Sequence, residues 1–235
     1  PLGFRKQDIA ALKQNPGVAE VSETQIVDLF LATPDGLEFT VRLYSNDSNS
    51  GNNTNNINIS NSGESPTDKG LNRLALLEGR LPEKPGEIAI EEGFGLKSII
   101  PLGTVLTASL PEDQQLSDLV QSTAYTVVGR VRSPLYIDFQ RGQTNIGGGS
   151  ISWYAVAAQD EFVAERPGNL YLRVVGSDDL ESYSPAYNER IEAFTPDLEA
   201  LGESAIAEEV AELRAEIETG KTELLEQKDK AAREL

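Results

Sequence analysis

Apolar residues recur at Tyr187, Ile191, Phe194, Leu198 and Leu201, in alternating steps of four and three. That spacing lines one side of a helix with a seam that packs on another helix. The seam then slips. From Leu201 to Ile206 the step is five, with Gly202 in between, and the series resumes at Ile206, Val210, Leu213, Ile217, Leu224, Ala231 and Leu235. A slip beside a glycine predicts that one helix ends or bends there.

The second stretch is polar for a buried helix. Glu203, Glu208, Glu209, Glu212, Glu216 and Glu218 crowd its first half, and Lys221, Lys228, Lys230 and Arg233 its end. Acid first and base last is the order that the helix dipole favours. Glu212 and Glu216 repel at i,i+4, whereas Glu226 and Lys230 attract. So narrow a stripe needs a partner. The expectation is an arm over 185–235 whose seam, Ile206, Val210, Leu213, Ile217 and Leu224, binds a helix outside this chain or a second copy. For residues 187–201, packing on the chain's own domain stays equally open.

With 235 residues, the remainder is long enough for one large domain or two small ones. The net charge of −18 argues against nucleic acid and against anionic lipid, both of which select clustered Lys and Arg. There is no cysteine, histidine or methionine. A disulfide framework, a thiol nucleophile and the commonest general base and metal ligand are therefore missing. No run approaches the roughly 20 apolar residues of a membrane span. Pro1 to Arg5 reads as a cut within a larger protein, with no leader peptide.

Residues 5–14 read as a short helix, with Ile9 and Leu12 on one face, stopped at Asn15-Pro16-Gly17. Strands are expected at 18–21 and 25–33. The turn Pro34-Asp35-Gly36 then leads into residues 37–45, where Leu37, Phe39, Val41 and Leu43 alternate with Glu38, Thr40, Arg42 and Tyr44. Residues 46–68 are low-complexity Asn, Ser, Gly and Thr, expected to be a mobile loop. Asn46, Asn52 and Asn58 match the glycosylation triplet, as an Asn-rich stretch does by chance. Asn46, Ser48, Ser50 and Gly51 lack the closing acid of a calcium loop, with Ile57 in its place. Further strands are expected at 87–90, 104–110, 125–132, 151–158 and 169–176. About eight strands, few helices before 185 and mostly antiparallel pairing make the class α+β.

Chemistry finds little foothold. Gly142 to Ser150 is glycine-rich but has no lysine and leads into a strand, so it reads as a hairpin tip, not a phosphate loop. The adjacent carboxylates Glu91-Glu92, Glu112-Asp113, Asp160-Glu161 and Asp178-Asp179 suit solvated loops better than a hydrolytic pair across a cleft. Trp153 and Tyr154 read as core and sheet-face residues. Nothing here points to an enzyme, a cofactor or a metal.

Four segments nevertheless share a likeness. LALLEGRLPEKPGEIAIEE (74–92) resembles the GR-x-P … EI-x-I signature in the extracytoplasmic domain of FtsX-like and MacB-like ABC transporter permeases. YTVVGRVRSPLYIDFQRG (125–142) is similar to the strand and loop of the Gram-positive members. Residues 169–203 resemble their last strand and the start of their coiled coil, and 212–235 its EL-x-x-GK-x-EL segments. The Asn-rich insert departs from the pattern. The resemblance implies a MacB-periplasmic-core-like mixed α/β domain over 1–184, with an inserted mostly-β part at about 71–160, and the helical arm at 185–235. It also implies a non-enzymatic domain outside the cell membrane. Its partners would be the returning helix of a coiled coil, membrane helices and an ABC ATPase subunit, with a homodimer possible. A surface adhesion module that oligomerises through the same arm is the alternative.

Overall fold

The computed structural model describes residues 3–46, 71–93, 95–138 and 140–233. Most of the Asn-rich stretch, with its triplets and its calcium-loop likeness, lies outside them. The chain divides into two compact units, Pro1–Arg173 and Val174–Leu235.

The first unit opens with α1 (Lys6–Gln14), which buries Ile9 and Leu12 as the sequence predicts. The strand β1 (Val18–Thr24) follows, and pairs with β9 (Asn169–Val174) in a two-stranded sheet. Between these two strands lies everything else: β2 (Ile26–Ala32), β3 (Glu38–Ser45), β4 (Ala75–Gly79), β5 (Glu87–Glu91), the one-turn α2 (Leu96–Ile99), β6 (Val105–Ser109), β7 (Ala124–Arg132) and β8 (Trp153–Ala157). Only Gln25 separates β1 from β2, yet they belong to different sheets.

The larger sheet has the order β4-β7-β5-β8-β3-β2-β6, and β6 also pairs with β7. That last pairing closes a ring of six strands and leaves β4 outside it, attached to β7. Closure removes the edges that an open sheet would offer to other chains. The alternation of the strands then sorts side chains into an inside and an outside. Leu29 and Leu31, Val41 and Leu43, Ile88 and Ile90, Leu106 and Ala108, Tyr125 and Val127, and Trp153, Ala155 and Ala157 form one buried cluster, with two or three residues from each of the six strands. Ala89, Tyr154 and Val156 alternate with them and, with Val131 beyond the irregularity in β7, form a second cluster with Tyr44 and Tyr136. Trp153 and Tyr154 thus divide between core and outer face, as expected.

The pairings β3–β8 and β5–β7 are parallel, and the other five within this sheet are antiparallel. Strand β7 bends at an irregularity in its pairing. Its first half pairs with β6 and its second half with β4, while β5 runs along the opposite edge. The register along β5 shifts between Ile88 and Ala89, opposite that bend. An extra residue in one strand kinks it and increases its twist, which lets a small barrel close. Residues 143 and 150 form an isolated bridge, and the Thr144 amide donates to the Gly149 carbonyl, so the glycine-rich stretch is a hairpin tip.

The second unit is dominated by α3 (Pro185–Arg233), one helix of 49 residues. At 1.5 Å per residue it is about 74 Å long. Of the end or bend expected near Gly202, the end does not occur, since the helix continues through Gly202 and Gly220. A helix accepts glycine at a cost of about 1 kcal/mol, and strong helix formers such as Glu, Ala and Leu dominate both flanks.

Candidate functional site

Ser184 starts α3. Its hydroxyl accepts from the Tyr187 amide at 3.2 Å and its carbonyl from the Asn188 amide at 2.9 Å. Pro185 follows as the first helical residue, where a missing N–H costs nothing. The lead-in folds back on this first turn: Arg190 Nε donates to the Val175 carbonyl at 2.7 Å, and the Tyr183 and Tyr187 rings lie 6.4 Å apart. Pro196 sits inside the helix, where it cannot donate to the Glu192 carbonyl. Beside it the Thr195 hydroxyl donates back to the Ile191 carbonyl at 3.0 Å.

The two apolar stripes of α3 differ in environment. Phe194 is buried, and Tyr187, Ile191, Leu198 and Leu201 are half-buried. The proposed partner-binding residues are exposed: Ile206, Val210, Leu213, Ile217 and Leu224 keep between 39% and 69% of their surface, and Leu225 keeps 53%. Isolated exposed apolar residues are ordinary, whereas these five form a periodic row along one side of the helix.

On the barrel, the adjacent carboxylates diverge. Glu91 is buried and meets Arg141 at 2.6 Å, whereas Glu92 meets Arg132 at 2.5 Å. Burial raises the Glu91 carboxyl above the usual range, and the Arg141 guanidinium opposes this. Asp160 is exposed, but Glu161 is fully buried. Glu161 accepts from the Gly86 amide, the Ser122 amide, the Ser122 hydroxyl and the Tyr125 hydroxyl, all at 2.8 Å. Four donors satisfy both oxygens and tie three segments together. Sequence reading placed Glu161 on a solvated loop. The signal available was only Phe162 beside it, an apolar residue that draws the turn into the core.

A tyrosine cluster lies on the outer face. Tyr136 and Tyr154 stack at 4.5 Å, the hydroxyls of Tyr44 and Tyr136 are 2.5 Å apart, and Arg141 lies 5.3 Å above the Tyr136 ring. Burial pushes the Tyr154 phenol up to about 12, and those of Tyr44 and Tyr136 also upward, so all stay protonated at neutral pH. A shallow cleft nearby is lined by neutral groups, among them Ser22, Tyr44, Asn72, Ser133 and Tyr171. It contains no carboxylate pair. Among the described residues, no group of three or more His, Cys, Asp or Glu is placed to hold a metal ion, and no helix is long and apolar enough to cross a membrane.

No protein-family model and no curated protein sequence matches the chain. Among solved structures it is similar to the extracellular domain of the noncanonic ABC-type transporter YknZ from Gram-positive bacteria (12% identity, TM-score 0.38, 76% of each chain covered). It is also similar to the periplasmic region of MacB from Actinobacillus actinomycetemcomitans, at 15% identity and TM-score 0.42, over 84% of this chain and 74% of that one. A domain assigned to a permease protein from Porphyromonas gingivalis matches at 15% identity and TM-score 0.34, over 80% and 74%.

Proposed function

We propose that this chain is the extracytoplasmic domain of an FtsX-like or MacB-like ABC transporter permease. It carries out no chemistry. It couples ATP hydrolysis by a cytoplasmic ATPase partner to motion, or to the handling of a substrate or partner, outside the membrane. The observation that carries this reading is the junction of two of the segments that resemble the family. Gly79 and Arg80 of the first segment pack on Val128 and Gly129 of the second, some fifty residues later: the Arg80 amide donates to the Val128 carbonyl at 3.0 Å. The residues in those signatures thus serve one structural purpose together. The inserted mostly-β part, expected at about 71–160, corresponds in this reading to the barrel, with β2 and β3 added. The part that frames it comprises α1, β1 and β9. Ile206, Val210, Leu213, Ile217 and Leu224 form the face for the returning helix of a coiled coil.

Topology in cells tests the proposal. The chain has no cysteine, so one placed at Ile137, which is 89% exposed, gives a single label site. In a cysteine-free membrane-bound parent, a membrane-impermeant maleimide labels it in intact cells, at a rate that changes when the ATPase is trapped with vanadate. Labelling only after the cells are opened rules the reading out. A rate indifferent to the ATPase removes the coupling.

A further inference from the structure

The continuity of α3 through the slip has a geometric consequence. At 100° per residue, Tyr187, Ile191, Phe194, Leu198 and Leu201 centre on one direction. Ile206, Val210, Leu213, Ile217 and Leu224 centre on another, rotated by about 110°. A helix broken at Gly202 could realign the two stripes, but an unbroken one cannot. The buried stripe and the bare stripe therefore look to different sides of the same helix.

The charges beside the bare stripe are ordered. Within about a quarter turn of its centre lie Glu203, Glu209 and Glu216 in the first half, offset by Arg214, and in the second Lys228 and Lys221, the latter 3.4 Å from Glu218. We infer that this stripe binds one antiparallel helix whose own charges run acid first and base last. The inference rests on the permease reading for its occupant, the returning helix of a hairpin, and adds the charge order that helix carries. The physical reason is twofold. An antiparallel helix of that order lays its acidic half on Lys221 and Lys228, and its basic half on the glutamates. The same order also suits the occupant's own dipole, whereas a parallel occupant of complementary charge would have to oppose it.

The test uses two synthetic helical peptides of about 28 residues, four heptads, with the same apolar seam. One carries Glu in its first half and Lys in its second; the other is reversed. The acid-first peptide binds the chain at least about tenfold tighter, and the preference fades by roughly 0.5 M salt as screening shortens. Ile217→Lys abolishes binding. Ala215→Lys, exposed on the far side, leaves it intact. A nitroxide on a cysteine placed at Gln227 relaxes the N-terminal half of the bound peptide. Tighter binding of the reversed peptide overturns the inference, as do relaxation of the C-terminal half, equal damage from Ala215→Lys, or no binding of either peptide. A dimer of the chain that Ile217→Lys dissolves also overturns it, since the occupant is then a second copy. Surface labelling at residue 137 does not involve this helix, so failure of the permease reading and failure of this inference show in different measurements.

Discussion

Gly79 and Gly129 stand opposite one another across β4 and β7, and neither has room for a side chain. A β-carbon on Gly129 would lie 2.1 Å from the Arg80 carbonyl oxygen, and one on Gly79 would lie 2.2 Å from that of Val128. Gly79 also holds φ at +72°, a region that side chains disfavour. Here β7 leaves β6 and takes up β4, so the close approach is what lets a single strand serve both the closed barrel and the strand outside it.

Gly129→Ala is therefore expected to cost about 3 kcal/mol or more, because the clash is with backbone and cannot be relieved by a rotamer change. Gly148→Ala, at a position with open space around it, is the control. Urea unfolding followed through Trp153, the one tryptophan and buried in the barrel, measures both. A Gly129→Ala midpoint indistinguishable from that of Gly148→Ala would contradict the account.

Glu161→Gln keeps the shape but turns one acceptor into a donor aimed at other donors. The expected loss is roughly 2–3 kcal/mol, against about 1 kcal/mol for Tyr125→Phe, which removes only one of the four bonds. Ser122→Ala combined with Tyr125→Phe should then cost less in the Glu161→Gln background than in the natural chain. Strict additivity of the three changes would show that Glu161 does not join them.

The Arg80–Glu87 pair sets an acid response. Arg80 donates through both terminal nitrogens to Glu87, at 2.6 and 2.7 Å, and holds its carboxyl down to about 2. A lowered folded value means that the stabilisation is complete above the ordinary carboxylate range, and is lost as pH falls from there through about 2. Arg80 is partly exposed, so solvent screening limits the loss to about 1 kcal/mol or less. Glu91 has the opposite sign. Its raised value adds stability below the ordinary range, and that stability is lost as pH rises. Unfolding midpoints between pH 5 and pH 2 for the natural chain and Glu87→Gln check this. Equal slopes would remove the pair's role.

How much of this was legible in the sequence depended on the range of each interaction. Alternation along 37–45 located β3 and its inward Val41 and Leu43, because period-two burial is written locally. The parallel pairing of Val41 with Trp153 spans more than a hundred residues and leaves no local mark, nor does the β6–β7 contact that closes the barrel. The spacing at 187–201 located helix, but the slip at Gly202 was read as an end or a bend, and the helix does not end there. One glycine between strong helix formers costs too little to end a helix, and Gly202 is in open space. Glu161 was missed because a buried acid is recognised only when its donors, here from residues 86, 122 and 125, are known to converge.

The continuity of α3 makes the last prediction. Gly202 and Gly220 have no neighbour that a methyl group would meet, and neither has a positive φ. Their replacement by alanine should therefore relieve only the glycine penalty and stabilise the helix by about 0.8–1 kcal/mol each. Gly202→Pro should have the reverse effect, removing a donor and clashing with the preceding turn, at a cost of about 3 kcal/mol. Circular dichroism and amide exchange at residues 203–217 separate the cases. Alanine slows exchange there and raises helicity, while proline frees the stretch beyond 202 from the phase of the stretch before it. If the natural chain were already broken at Gly202, alanine would instead create the continuity and rotate Ile206 and Ile217 relative to Phe194. A cysteine pair placed to report that rotation would then change its cross-linking between glycine and alanine. No change is expected, because the unbroken helix already fixes the angle.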